Sequence, residues 1–309
     1  MKKLIPVYLV AAILIFTAPF LFEHHLVYII SLFLCYSIFA LALNLVLGYM
    51  GKLSFGHGAF FGLGAFSLAY LLEFVPFPLA LLGSIAVSSF FAGLVGLVCA
   101  RLKSIYFAMF TLAAGEAIYF VVLQLVSIRG LYGLSVPTLE PMKIFGLKMN
   151  LGSFNNYYFF IVITLFVLTW TMYTITRSSF GNMIKAIREN VDRVEFIGVN
   201  ERRLQWANFL ISGVFAGIAG ALYAPLVGYL APEIIGFAGS AEGVIMVILG
   251  GPNTFVGPIV GAFLLVFIKE YLSILTEHWL FFLGIVLLII VYVLPGGVAG
   301  YVSDKLKPR

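Results

Sequence analysis

Charge is what this sequence has least of. Only 10% of its 309 residues are Asp, Glu, Lys or Arg, while 62% are hydrophobic; a soluble globular domain carries about 25% charged and 45–50% apolar residues. With a mean hydropathy of +1.11, no water-soluble packing hides this much apolar surface. Cysteine is scarce as well. Cys35 and Cys99 both sit inside apolar stretches, which excludes a disulfide framework or a thiolate metal site and leaves two buried apolar thiols. No G-x-x-x-x-G-K-[ST] phosphate loop is present, so any ATP consumption must come from a partner. Also missing are H-E-x-x-H, G-x-S-x-G and a pair of carboxylates, which argues against an intramembrane enzyme. The apolar stretches lack the alternating polarity of β-barrel strands.

What fills the chain instead is long uncharged runs, at 4–22, 24–51, 53–72, 74–100, 104–128 (broken only by Glu116), 149–176, 204–232, 243–268 and 278–303. About 20 apolar residues cross a bilayer core as a helix. The expected fold is therefore an all-α polytopic membrane protein of about ten transmembrane or partial helices, with eight or nine as alternatives. Their expected ranges are 4–22, 26–47, 53–72, 78–100, 104–126, 154–176, 207–230, 236–249, 255–268 and 278–295. The start, Met1-Lys2-Lys3 before Leu4–Phe22, resembles a secretory signal. Its apolar run is longer than the usual 7–15 residues and ends in Phe22-Glu23-His24-His25 without an A-x-A site, so an uncleaved first helix is expected.

The basic residues orient the chain. With the N-terminus inside, the inside segments hold Lys2, Lys3, Lys52, Arg101, Lys103 and six basic residues between Arg177 and Arg203. The outside holds only Arg129, Lys143 and Lys148, in a periplasmic loop over 129–152. The poor helix interior Leu249-Gly250-Gly251-Pro252-Asn253-Thr254 suits a reversal of direction. Such a turn puts Lys269 outside and returns Lys305, Lys307 and Arg309 inside, so both termini are expected to be cytoplasmic. Placement thus accounts for the net charge of +5, and no nucleic-acid partner is expected.

Four segments depart from plain membrane helix. Asn44–Phe66 crowds Gly48, Gly51, Gly56, Gly58, Gly62 and Gly64 around Lys52, Ser54 and His57. Such glycines permit a broken helix, tolerated at membrane depth where it is buried or lines a cavity, or tight helix packing alone. Asn44, Gly48, Ser54, His57 and Gly58 are thus path candidates, with backbone amides offered to a substrate; Gly51 and Gly62 are candidates for breaks or packing. Around the reversal, Gly250, Gly251 and Gly257 read the same way, and Gly213 and Gly217 read as helix-on-helix packing. Glu116 and Gln124 lie eight residues apart on roughly one helical face, and an intramembrane carboxylate is a functional candidate by default. It can line the path, brace helices or carry a proton. Finally, Phe180, Ile184, Ile187, Val191 and Val194 recur at helical spacing within the polar run 177–203, between Lys185, Arg188, Glu189, Asp192, Arg193 and Glu195. That pattern predicts one amphipathic helix over about 181–197, stopped by Gly198. Its mixed charges suit docking on a protein better than lying on lipid.

In order along the chain, these segments resemble the inner-membrane permeases of binding-protein-dependent ABC importers, specifically the branched-chain amino acid (LivM/LivH) class. The resemblance rests on Asn44–Gly48 with Gly51–Gly62, Tyr106–Met109 with Thr111–Ala113, Arg177–Gly181 leading to Lys185–Asn190, Gly198–Asn200, Ala216–Tyr223, Leu249–Gly251 and Pro295–Gly297. The long loop 129–152 is similar to the LivM rather than the LivH partner. The resemblance implies that 177–203 is a coupling loop against an ATPase, with Gly181, Lys185, Ala186, Arg188, Glu189 and Gly198 in the coupling helix. It also implies a second, LivH-type permease, two ATP-binding subunits and a periplasmic substrate-binding protein. No cofactor is expected on this chain, with ATP and Mg in the partners. The chain departs from the family at Val191–Phe196, where members commonly carry a more alanine-rich stretch. Related permeases handle urea and short amides, and a secondary transporter with Glu116 as its proton site is the rival reading.

Overall fold

In a computed structural model, the described residues are 14–128, 132–144, 147–196, 198–276, 278–294 and 296–306; for 142–149 only the backbone is described. The first half of the expected helix 4–22 lies outside them, and 14–21 is helical. Helix α1 spans His24–Asn44 and runs on through a π-helical turn, Leu45–Tyr49. Then come α2 (His57–Leu71), α3 (Phe77–Cys99), α4 (Ser104–Ile128), α5 (Phe154–Arg177), α6 (Ser179–Glu189), α7 (Val191–Phe196), α8 (Glu201–Val227), α9 (Phe237–Gly250), α10 (Gly257–Leu275), α11 (Trp279–Val293) and α12 (Gly297–Leu306). Among the described residues, strand is confined to four short pieces. Of these, β2 (Met142–Ile144) and β3 (Leu147–Met149) form a hairpin. Strand β1 (Leu134–Ser135) pairs antiparallel with β4 (Tyr229–Leu230), joining Leu134 to Leu230. The protein is an all-α polytopic membrane protein.

Six helices among the described residues are long and apolar enough to cross a membrane: α1 with its π turn, α3, α4, α5, α8 and α10. Two more are apolar but short, α2 with 15 residues and α9 with 14. At 1.5 Å per residue these reach only about 22 Å, against a hydrocarbon core of about 30 Å. Helices α1 and α8 form the centre, and α3, α4, α5 and α10 form the margin.

Glycine sets how closely the central layer packs. A Cβ on Gly64 would meet the Gly217 carbonyl, one on Gly220 the Phe61 carbonyl, and one on Gly217 the Ser88 hydroxyl. Backbone therefore touches backbone between α2 and α8. In lipid, where apolar burial does not drive helices together, such close approach supplies the packing energy. The same device folds α9 back on α10. Gly250 abuts the Gly257 carbonyl and Gly261 the Met246 carbonyl, while Gly251 turns the chain with φ 108.

Several boundaries differ from the sequence reading. Residues 53–56 are not helical, and α2 begins at His57. Helix α8 begins at Glu201 rather than 207, because the Asn200 side chain caps it by accepting from Arg203 N at 3.1 Å. It ends where Gly228 takes a left-handed φ of 71. Helix α10 runs past 268 to Leu275, so Lys269 lies within it rather than beyond it. The charge is accommodated because Lys269 Nζ pairs with Glu242 at 2.7 Å, and Glu270 pairs with His25 at 3.3 Å. The amphipathic segment is two helices, since Asn190 adopts an extended backbone (φ −161, ψ 110) between α6 and α7.

Candidate functional site

The polar segment 177–203 closes the end of the bundle that also holds Lys52, Arg101 and Lys103. Ser178 starts α6 by accepting from Gly181 N at 3.4 Å. Gly181 is required at that corner, where a Cβ would strike the Thr176 and Ile175 carbonyls. Ile184, Ile187 and Val194 are buried, so the apolar stripe faces the bundle. Asn182, Glu189, Asp192, Arg193 and Glu195 face outward with Phe196, which is 89% exposed. Ala186 is half-buried, and Gly198 follows α7 with a left-handed φ of 80.

On its inner side α6 is tied to the break after α1. A π turn advances the helix by one extra residue and frees carbonyls from the regular ladder. Three carbonyls of this turn are met from three directions. Asn208 Nδ2 of α8 donates to Leu45 O at 2.8 Å. Lys52 N donates to Val46 O at 3.1 Å. Arg188 Nη1 of α6 donates to Gly48 O at 2.5 Å. The Arg188 side chain lies along Gly51, whose Cβ would come within 2.7 Å of Arg188 Cγ and whose φ is +74. Lys185 Nζ sits 5.2 Å from the centre of the Tyr49 ring and donates to Thr176 O at 3.2 Å. The α9–α10 turn arrives from the other side, with Asn44 Nδ2 donating to Thr254 O at 3.3 Å and a Gly48 Cβ blocked by Pro252 O.

Beyond the π turn, Lys52 Nζ donates to Gln205 Oε1 at 2.6 Å and to Leu102 O at 2.8 Å. Gln205 in turn donates to Glu201 at 3.1 Å. Burial pulls the Lys52 ammonium below the ordinary lysine range, and the nearby Glu201 charge opposes that shift. His57 is fully buried between Ser54 Oγ at 2.8 Å from Nδ1 and Ser212 Oγ at 2.7 Å from Nε2. Ser212 Oγ donates to Ala42 O at 2.5 Å, so it accepts from Nε2–H, and Ser54 donates to Nδ1. With Phe60 and Phe209 edge-on at 5.6 and 5.3 Å, the imidazole is a neutral bolt joining α1, α2 and α8. It has no carboxylate to orient it as a base.

The amides expected to face a substrate are occupied. Phe55 N donates to Thr111 Oγ1 at 3.2 Å, Gly56 N to Ser54 Oγ at 3.4 Å and Gly58 N to Ser240 Oγ at 2.9 Å. Ser54, His57 and Gly58 are thus brought together inside the packed core rather than on an open surface. Glu116 and Gln124 stand apart from them. Glu116 is half-buried and accepts from Phe237 N, the first residue of α9, at 2.7 Å; Gln124 is exposed. No group of three His, Cys, Asp or Glu that could hold a metal occurs among the described residues.

The profile of a family described as "Branched-chain amino acid transport system / permease component" matches residues 25–291. The chain belongs to this family. Among its relatives, the high-affinity branched-chain amino acid transport system permease protein LivM of Escherichia coli K12 is 29% identical over 325 residues, covering 97% of this chain and 76% of that protein. The probable branched-chain amino acid transport permease protein LivM of Methanocaldococcus jannaschii is 24% identical, covering 85% and 89%. The autoinducer 2 import system permease protein LsrC of Yersinia pestis (strain Pestoides F) is 27% identical over 203 residues, covering 62% and 56%. No solved structure matches. As a permease of an ABC transport system, the chain is a multi-pass protein of the inner membrane, a transport component rather than an enzyme.

Sequence reasoning overlooked much of what holds this permease's hub together. Asn208, Gln205, Ser212, Ser240 and Thr254 each reach the segment 42–58 from distant chain. A usable signal existed. Gln205, Asn208 and Ser212 follow at spacings of three and four, a polar stripe on one face of an apolar helix.

Proposed function

We infer that this permease is the LivM-type half of a branched-chain amino acid importer. It works with a LivH-type permease, two ATP-binding subunits that hold the ATP and Mg, and a periplasmic binding protein. The end carrying α6 and α7 faces the cytoplasm, with both termini on that side. The opposite end, with its groove of about 760 Å³ between residues 72–79 and 137–141, faces the binding protein.

One observation carries this reading: the exposed, mixed-charge outer face of α6–α7 and the inward Arg188–Gly48 bond belong to the same short segment. An ATPase that closes on nucleotide pulls α6. The charge-assisted bond passes the displacement to the π turn, where α1, α8 and the α9–α10 turn meet. Glycine-packed helices then rock as rigid bodies between inward- and outward-open states.

Affinity purification of the tagged chain from its native membrane in mild detergent, with partners identified by mass spectrometry, tests the assembly. A second permease with ATPase subunits is the expected catch. A chain that comes down alone, yet supports uptake in liposomes, overturns the reading. Competition of leucine uptake by valine, isoleucine and urea then sorts the substrate class.

A further inference from the structure

Glu116 is the midpoint of the 25-residue α4, at the margin of the bundle. The exposed mid-span positions of neighbouring α3, namely Leu82, Ala86, Phe90 and Leu94, are all apolar, as hydrocarbon requires. Helix α4 differs: beside apolar positions it exposes the Gln124 carboxamide and half-exposes the Glu116 carboxylate. Polar groups of this kind face water or protein, not lipid. Oε1 of Glu116 is held by Phe237 N at 2.7 Å. That bond engages one carboxyl oxygen, and Oε2 supplies further acceptor capacity. Around it stand two accessible rings. Phe237 is 50% exposed and lies 5.5 Å from Phe55, and Phe120, one turn along α4, is 62% exposed.

The geometry points to Glu116 as the mid-membrane contact for the α-ammonium group of the transported amino acid, with the Phe237 and Phe120 rings against its apolar side chain. This rests on the proposed importer function, in which the polar side of α4 lines a path shared with the second permease. A carboxylate in a low-dielectric site attracts an ammonium far more strongly than in water. Aromatic faces suit both the alkyl chain and the cation.

The test uses the complete importer in liposomes, with leucine as the probe, in wild type, Glu116→Gln and Glu116→Ala. Glutamine keeps an oxygen that can accept from Phe237 N and removes only the charge. Loss of leucine uptake by tenfold or more in both variants, with intact assembly and ATP hydrolysis still stimulated by loaded binding protein, is the expected result. Uptake in Glu116→Gln equal to wild type, with only Glu116→Ala impaired, reduces Glu116 to a brace for α9 and overturns the inference while leaving the importer standing. Wild-type uptake abolished by a protonophore with ATP present shows proton coupling, which sinks the importer reading and this inference with it. A wild-type assembly that takes up no leucine sinks the importer reading itself.

Discussion

Arg188 Nη1 donates to the Gly48 carbonyl at 2.5 Å across a separation of 140 residues. The bond joins a surface helix to a break in the central helix of the bundle. It uses a carbonyl that a regular α-helix would have kept for itself.

Replacing Arg188 with Ala is expected to uncouple transport. The lost bond, about 1.5–3 kcal/mol for a charged donor, frees α6 from the π turn without disturbing the buried Ile184 and Ile187. Uptake should fall about tenfold or more while the assembled ATPase still turns over, and Arg188→Lys should recover part of it. Parallel assays of phosphate release and leucine uptake check this.

Phe196→Asp should weaken subunit association rather than the fold. The ring is 89% exposed and contributes little within the chain. Co-purified ATPase should drop several-fold, with the yield of monodisperse permease unchanged on size-exclusion chromatography.

Gly220→Ala places a methyl against the Phe61 carbonyl, whereas nothing lies within 4 Å of a Cβ on Gly284. Overpacking costs about 1–3 kcal/mol, and at about 2–4 °C per kcal/mol for a chain of this size a thermal shift of several degrees is expected for Gly220→Ala. Gly284→Ala should melt like wild type in the same detergent.

Lys52 gives a pH signature. Its proton affinity is lowered in the folded chain, so above that depressed value the unfolded state binds more protons, up to the ordinary lysine pKa of about 10.4. Stability from this group therefore rises with pH across that window. The melting temperature of Lys52→Met, relative to wild type, should fall progressively as pH is raised from 8 to 10.5.

How legible was all this in the sequence? The apolar runs and glycine spacing carry the helical architecture, because a helix in lipid has few other ways to satisfy its backbone. A break within Asn44–Phe66 was legible from its glycines, but its π form at Leu45–Tyr49 was not, since the extra residue is paid for by partners far away in sequence. The split at Asn190 was missed because apolar periodicity runs straight through it. Helix α10 was cut short at Lys269 because a lone sequence cannot show that Glu242 waits on the facing helix. His57 and Ser54 stood out correctly as unusual, but their chemistry turns inward, onto Ser212 and the core.

The most direct test of the central claim is leucine uptake into liposomes, measured with and without internal ATP, for the complete assembly and for this chain alone. Uptake only by the assembly and only with ATP is the predicted result. Uptake by the chain alone, driven by an ion gradient, would contradict it.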